Sequence, residues 1–278
     1  MASTKDRLVA GAFAGLVGMF RLLPVDKASA LGAVMGRWLG PLATKRHDQA
    51  RRNLERFIGG DVGAIRRAMW AQIGRVVGEL PHLQQLARER VEIVGREHFD
   101  AASATGRSVL LVTGHIANWE LTPFIAAANG VPLNVIVRPA QNPLSEAIFQ
   151  RLRAGGAVSL IPKGQTGMRQ VLKLVRKHEH FGFLVDQRFS EGIAVPFFGV
   201  PSKTTPAAAS LALRHDAIIL PAHLERLGGA HFRLTVEPPL ALDGDVAALT
   251  AALNARLEAW IRAHPEQWLW THRRWPEV

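Results

Sequence analysis

The chain has 278 residues, a formal charge of +11 and a sequence pI near 11.2, with 48% hydrophobic and 21% charged residues. That balance belongs to a folded globular protein with enough length for one large domain, and not to a disordered chain. The absence of cysteine excludes a disulfide framework, a thiol nucleophile, a Cys-ligated zinc and an iron–sulfur cluster.

The first sixty residues carry ten Lys/Arg against four Asp/Glu, over half of the total basic excess. Between these charges the sequence is apolar. Leu8 to Phe20 runs thirteen residues without a charge and ends at Arg21. A bilayer-spanning helix needs about 20 apolar residues, so the run is short. A second apolar stretch, Ala28 to Ala43, holds Arg37 and Trp38 near its middle. The pattern fits helices lying at a membrane surface, or a helical hairpin packed on the main core. Lys5 and Arg7 precede the first run as in a signal peptide, but no convincing small-x-small cleavage site follows. Residues 1–47 are therefore read as a basic, apolar, membrane-associating helical region and 48–278 as the main domain.

From Asp48 to Arg90 apolar residues recur at spacings of three and four, which predicts helices, with a break or kink at Pro81. Beyond Gly95 short apolar runs alternate with helical stretches. Strands are expected at Val91–Val94, Val109–Thr113, Asn134–Val137, Val158–Ile161, Phe181–Val185, Ala217–Pro221 and Phe232–Val236. Helices are expected at 119–129, 143–154, 166–177, 204–214 and 246–263. This alternation predicts an α/β fold with a mostly parallel central sheet flanked by helices.

The strand Val109–Thr113 leads into Gly114-His115-Ile116-Ala117-Asn118-Trp119-Glu120. Ligands gather at the carboxyl ends of strands in open α/β sheets, so His115 has the address of a functional residue. On one continuous helix His115 and Glu120 would diverge by about 140°. If His115 sits in the turn and Glu120 in the first helical turn, both border one pocket. Histidine is suited to take a proton from a hydroxyl near neutral pH. Val137-Arg138-Pro139 and Val185-Asp186-Gln187-Arg188 end two further strands on the same edge. His178-Glu179-His180 lacks a third ligand at sensible spacing and reads as a surface loop, so no metal site is expected. Gly164-Gln165-Thr166-Gly167 lacks the ending of a phosphate-binding loop, and no G-x-S-x-G supplies a hydrolase serine. No signature of nucleic-acid binding accompanies the positive charge.

Taken together, G-H-x-x-N-W-E, the Asp186-Gln187 pair, Phe197-Phe198-Gly199 and Pro265-Glu266-Gln267-Trp268-Leu269-Trp270-Thr271-His272-Arg273-Arg274-Trp275 resemble the bacterial lipid A biosynthesis acyltransferases. Phosphatidylinositol mannoside acyltransferases are related to these enzymes. The similarity runs from Arg51 to Trp275. It implies a glycerolipid-acyltransferase-like α/β fold and transfer of a fatty acyl group from an acyl carrier protein or CoA thioester to a hydroxyl of a phosphorylated glycolipid. No cofactor is implied beyond that donor. The implied location is the cytoplasmic face of the inner membrane, held peripherally or by a single N-terminal anchor. His115 would be the general base with Glu120 as motif partner, and either Glu120 or Asp186 would orient its ring. Arg138 and one of Arg151 and Arg153 would lie near substrate phosphates, with Asn118 and Gln187 at the substrate. Phe197 and Phe198 would be core or the walls of an acyl groove, and Trp268, Trp270 and Trp275 buried packing or an interfacial belt. A glycerolipid acyltransferase acting on lysophosphatidic acid, and a non-catalytic basic membrane-binding protein, are the competing readings.

Overall fold

The computed structural model describes residues 3–275. Five helices come first: α1 (Thr4–Arg21), α2 (Val25–Leu39), α3 (Thr44–Phe57), α4 (Val62–Glu79) and α5 (Leu83–Glu89). A short 3-10 turn over Leu80–His82 separates α4 from α5 at Pro81. The α/β part follows as β1 (Val91–Val94), α6 (Arg96–Ala104), β2 (Val109–Thr113), α7 (Thr122–Ala128), β3 (Asn134–Val137), α8 (Pro143–Arg153), β4 (Ser159–Pro162), α9 (Gln165–Val175) and β5 (Phe181–Leu184). A hairpin of β6 (Ile193–Phe197) and β7 (Val200–Thr204) leads to α10 (Ala207–His215), β8 (Ile218–Gly228), β9 (His231–Val236) and α11 (Val246–Ala263).

Seven strands form one sheet in the order β1-β9-β8-β2-β5-β3-β4. The five strands from β8 to β4 are parallel, whereas β9 pairs antiparallel with β8 and carries β1 alongside it. The mostly parallel α/β sheet expected from the sequence is present. Every residue of β2 is buried, as a central strand covered on both faces requires. Burial along β9 alternates, the period-two signature of an antiparallel pairing with one wetter face.

Four elements differ from the sequence expectation. β8 runs to Gly228 because its second half, where polar and apolar residues alternate, pairs with β9. β6 and β7 escape a periodicity search because Pro196 and Pro201 interrupt them, which a two-stranded ribbon tolerates. Phe198 and Gly199 form its turn with φ of 52° and 70°, the backbone of a tight hairpin connection. α6, after Gly95, was not anticipated.

The N-terminal helices are built into the fold. Ala28, Gly32 and Gly36 make a small-residue ridge at i, i+4 spacing on α2, and Gly74 and Gly78 form its counterpart on α4. A Cβ on Gly32 or Gly36 would collide with the backbone of Gly74 or Trp70. α1 rests on α8, with Phe13 and Phe149 rings 5.0 Å apart and the Asn142 side chain donating to the Asp6 carbonyl at 2.8 Å. No helix among the described residues is long and apolar enough to cross a membrane. The outer faces of α1 and α2 nonetheless expose Leu8, Leu22, Trp38 and Leu39, and Leu42 follows in the next turn.

Because the α2–α4 backbones touch, Gly74→Leu is expected to destabilise the protein by about 1–3 kcal/mol through overpacking. Denaturant unfolding would read this as a lower midpoint, and an unchanged midpoint would contradict the close approach.

Candidate active site

The site forms where β2 and β5 end side by side. Gly114 turns the chain out of β2, and a Cβ there would press on Leu257 at 2.8 Å and on the Asp186 carboxylate at 3.3 Å. This close approach brings His115 onto Asp186. The His115 backbone N–H donates to Oδ2 at 2.8 Å, and its Nδ1 lies 2.7 Å from Oδ1. The Trp268 indole N–H donates to Oδ2 at 2.7 Å. Asp186 is 1% exposed. Burial alone would raise its pKa, but the His115 ring and the three donors hold it well below the usual carboxylate range.

Of the two acids the sequence leaves open, Asp186 is the one on the His115 ring. Glu120 points elsewhere, with its carboxylate receiving Arg153 Nε and Nη2 at 2.7 and 2.6 Å. Burial opposes the Arg153 charge, yet the bonds to Glu120 raise its pKa. This bidentate pair ties the loop after β2 to the last turn of α8.

Asn118 is fully buried and its amide donates to Glu79 Oε2 at 2.8 Å, so it anchors the loop from within and offers no surface to a substrate. Ala117, in the left-handed region at φ 49°, is pinned by its N–H to the Gln267 carbonyl at 2.9 Å. A strained residue of this kind persists where the surroundings over-determine it. Arg138 is exposed after β3, beside Lys163, whose pKa is lowered by burial and then by Arg138. Arg151 is exposed on α8. Gln187 completes the constellation, its amide nitrogen 3.0 Å from Nε2 of His115 and 3.0 Å from Nε2 of His272.

His272 had no assigned role in the sequence reading, although it lies inside the C-terminal motif. Its backbone carbonyl, with that of Trp270, accepts from the Asn53 side chain of α3 at 3.0 and 2.8 Å. Burial lowers the His272 pKa to about 4, with Asp186 opposing and His115 and Arg46 assisting. Trp268, Trp270 and Trp275 are buried against Phe197 and Phe198, so the tryptophans and both phenylalanines are packing. Arg274 is fully buried, donating to Ser202, the Lys203 carbonyl and Thr204. Burial lowers its pKa to about 10 while the Asp186 charge opposes the drop.

Behind the loop sits a second buried centre. Arg226 of β8 grips Glu79 of α4 with two hydrogen bonds of 2.6 and 2.8 Å, and its Nε donates to Gln72 at 2.7 Å. Ser29 of α2 donates to the same Glu79 carboxylate at 2.6 Å. Among the described residues no group of three His, Cys, Asp or Glu side chains is placed to hold a metal ion. The arrangement can hold a neutral imidazole against a buried anion and present it, partly exposed, at the end of a strand, which is the equipment of a general base.

His272 titrates near 4 in the folded chain against an ordinary 6.5, so the unfolded chain binds its proton first. Stability should therefore fall as pH drops from about 6.5 to about 4. Urea unfolding across this range should show a shallower loss for His272→Gln. His47, His180 and His223, also lowered by burial, would retain part of the slope. An identical slope in the variant would contradict the buried, neutral ring.

The profile of the bacterial lipid A biosynthesis acyltransferase family matches residues 5–277. A lipid A biosynthesis acyltransferase of Haemophilus influenzae is 26% identical over 276 residues, covering 91% of this chain and 85% of that protein. A phosphatidylinositol mannoside acyltransferase of Mycobacterium tuberculosis is 28% identical over 247 residues, covering 82% and 77%. A lipid A biosynthesis lauroyltransferase of Escherichia coli is 31% identical over 193 residues, covering 66% and 61%. With a strand-end histidine on a buried aspartate and a family match along nearly its whole length, the chain belongs to the bacterial lipid A biosynthesis acyltransferases and is an enzyme of acyl transfer.

Proposed function

We propose that the protein moves a fatty acyl chain from a thioester, on acyl carrier protein or CoA, directly to a hydroxyl of a lipid A precursor or similar phosphorylated glycolipid, with His115 as general base. The observation that carries this reading is the 2.7 Å contact between His115 Nδ1 and the ionised Asp186. An ionised carboxylate can only accept, which supports a proton on Nδ1 and a lone pair on Nε2 free to receive another. The acceptor O–H gives its proton to Nε2 as its oxygen bonds to the thioester carbonyl carbon. The C–S bond then breaks, and the proton passes from Nε2 to the departing sulfur. Asp186 stabilises the imidazolium formed between these events. No acyl-enzyme is needed, and the thioester brings the acyl group already activated, so no metal or tightly bound cofactor is required.

Glu120 acts in this scheme through Arg153, which it holds beside the site. Arg138, Lys163 and exposed Arg151 give the same edge a positive field for substrate phosphates. The exposed Leu8, Leu22, Trp38, Leu39 and Leu42, followed by Lys45 and Arg46, favour seating on an anionic membrane surface without crossing it. The cytoplasmic face of the inner membrane is the location that fits such a donor and acceptor.

His115→Ala is expected to fold normally and to lose about 10²–10⁴ in turnover. The assay offers acyl carrier protein and CoA thioesters of several chain lengths to a lipid A precursor, a mannosylated phospholipid and lysophosphatidic acid. Near-native transfer by the variant would overturn the base assignment, and transfer to lysophosphatidic acid alone would overturn the glycolipid acceptor. Because the donor carrier and acceptor are both negative, kcat/KM should also fall several-fold between dilute and physiological salt. Indifference to salt would remove the steering role of the positive surface.

A further inference from the structure

Gln187 offers one amide nitrogen to two imidazoles at once, 3.0 Å from each Nε2. The proton states of the rings follow from what an amide can give. His115 Nδ1 faces an ionised carboxylate, which can only accept, so Nδ1 carries hydrogen. An amide NH2 has two hydrogens to donate. Set between the two rings, it gives one to each, and both Nε2 atoms present lone pairs. Turned the other way, the amide oxygen would accept from both rings. His115, already protonated at Nδ1, would then be an imidazolium with nothing left to act as a base.

We propose that Gln187, anchored by His272, is the positioning residue that keeps His115 in its base-competent neutral form and holds the place of the acceptor hydroxyl. The proposal rests on His115 being the base. The hydroxyl arrives where the Gln187 N–H now sits, displaces it from His115 and takes over the lone pair. The second bond, to His272, keeps the amide beside the site, ready to return when product leaves. His272 is thereby given a function that its position among buried tryptophans does not otherwise explain.

The charged and titratable groups around the two rings are consistent with this assignment. Asp186 faces both rings from the end of β5, with Arg274 behind it. Arg46 of α3 faces His272, and the ring centres of His115 and His272 lie 6.2 Å apart. Glu120 and Arg153, in and beside the same loop, satisfy each other. A second positive ring next to His115 would disfavour proton uptake by the base during the reaction.

The test is the proton inventory of the two rings, read by ¹⁵N NMR of the full-length protein labelled at histidine, in detergent, across a pH titration. His115→Ala and His272→Gln assign the signals. The wild type is expected to show both Nε2 atoms unprotonated at pH 7. Gln187→Glu replaces the donor with a carboxylate that only accepts, so both Nε2 atoms should gain hydrogen. Its kcat/KM at pH 7 should fall several-fold and recover as pH rises, with the acid limb displaced upward by about 1 pH unit or more. His272→Gln, whose oxygen can accept the same bond, should retain most activity, while His272→Leu should lose about two- to tenfold. A protonated His115 Nε2 in the wild type at pH 7, or a wild-type pH profile in Gln187→Glu, would overturn the proposal. Should Gln187→Glu not fold, the wild-type ring signals decide it. Loss of the base assignment is separately visible, as turnover that survives His115→Ala.

Discussion

A carboxylate with almost no access to water governs the site. Asp186 can stay ionised at 1% exposure because three hydrogen-bond donors and a nearby positive charge offset its burial. The His115 backbone and ring come from the end of β2, and the Trp268 indole from the C-terminal segment. Arg274 contributes its charge from the same segment. These groups lie far apart in the chain, so the C-terminal residues must fold back over the sheet before the anion is satisfied. The β6–β7 hairpin makes that return possible. Phe197 and Phe198 receive Trp275, whose indole donates to the Phe197 carbonyl at 2.8 Å, and Ser202 accepts from Arg274 while donating to its carbonyl. A long stretch of tertiary structure thus exists around one charge.

The Glu79–Arg226 pair does for the loop what Asp186 does for the base. A fully buried ion pair is costly to desolvate and earns its place by what it specifies. Here it joins α2, α4, β8, the His115 loop through Asn118, and the C-terminal segment through Gln267, whose side chain exchanges hydrogen bonds with the Arg226 backbone. α2, whose outer face is apolar, is therefore coupled to the His115 loop by a relay of hydrogen bonds through Glu79 and Asn118 and not by a flexible tether. Were α2 seated on a membrane as proposed, this relay would set the height of the surface relative to His115.

Much of this was legible in the sequence. The five parallel strands are short apolar runs between helices, the texture a sheet covered on both faces leaves in the sequence. His115, Asp186 and Gln187 were visible because each ends such a run. What was hidden depended on distant partners. Glu79 reads as one acid in an amphipathic helix and Arg226 as one basic residue in a strand, and only the fold makes them a pair. Glu120 and Asp186 were equal candidates for orienting His115 because spacing along the chain says nothing of the neighbouring strand. Asn118 looked like a substrate contact for a similar reason: its loop address is right, but its side chain turns inward. His272 stood in a motif dominated by tryptophans and carried no signal of the amide shared with His115.

In the proposed mechanism the acid at the end of the neighbouring strand, and not the acid five residues along the chain, makes His115 a base. Single-turnover acyl transfer by Asp186→Asn beside Glu120→Gln tests it most directly, with folding checked for both. Asp186→Asn is expected to lose about 10³–10⁴ in the rate, on the scale of removing the orienting acid in an acid–histidine pair. Glu120→Gln should give a much smaller loss, expressed mainly in substrate affinity. Near-native chemistry in Asp186→Asn with collapse in Glu120→Gln would contradict it.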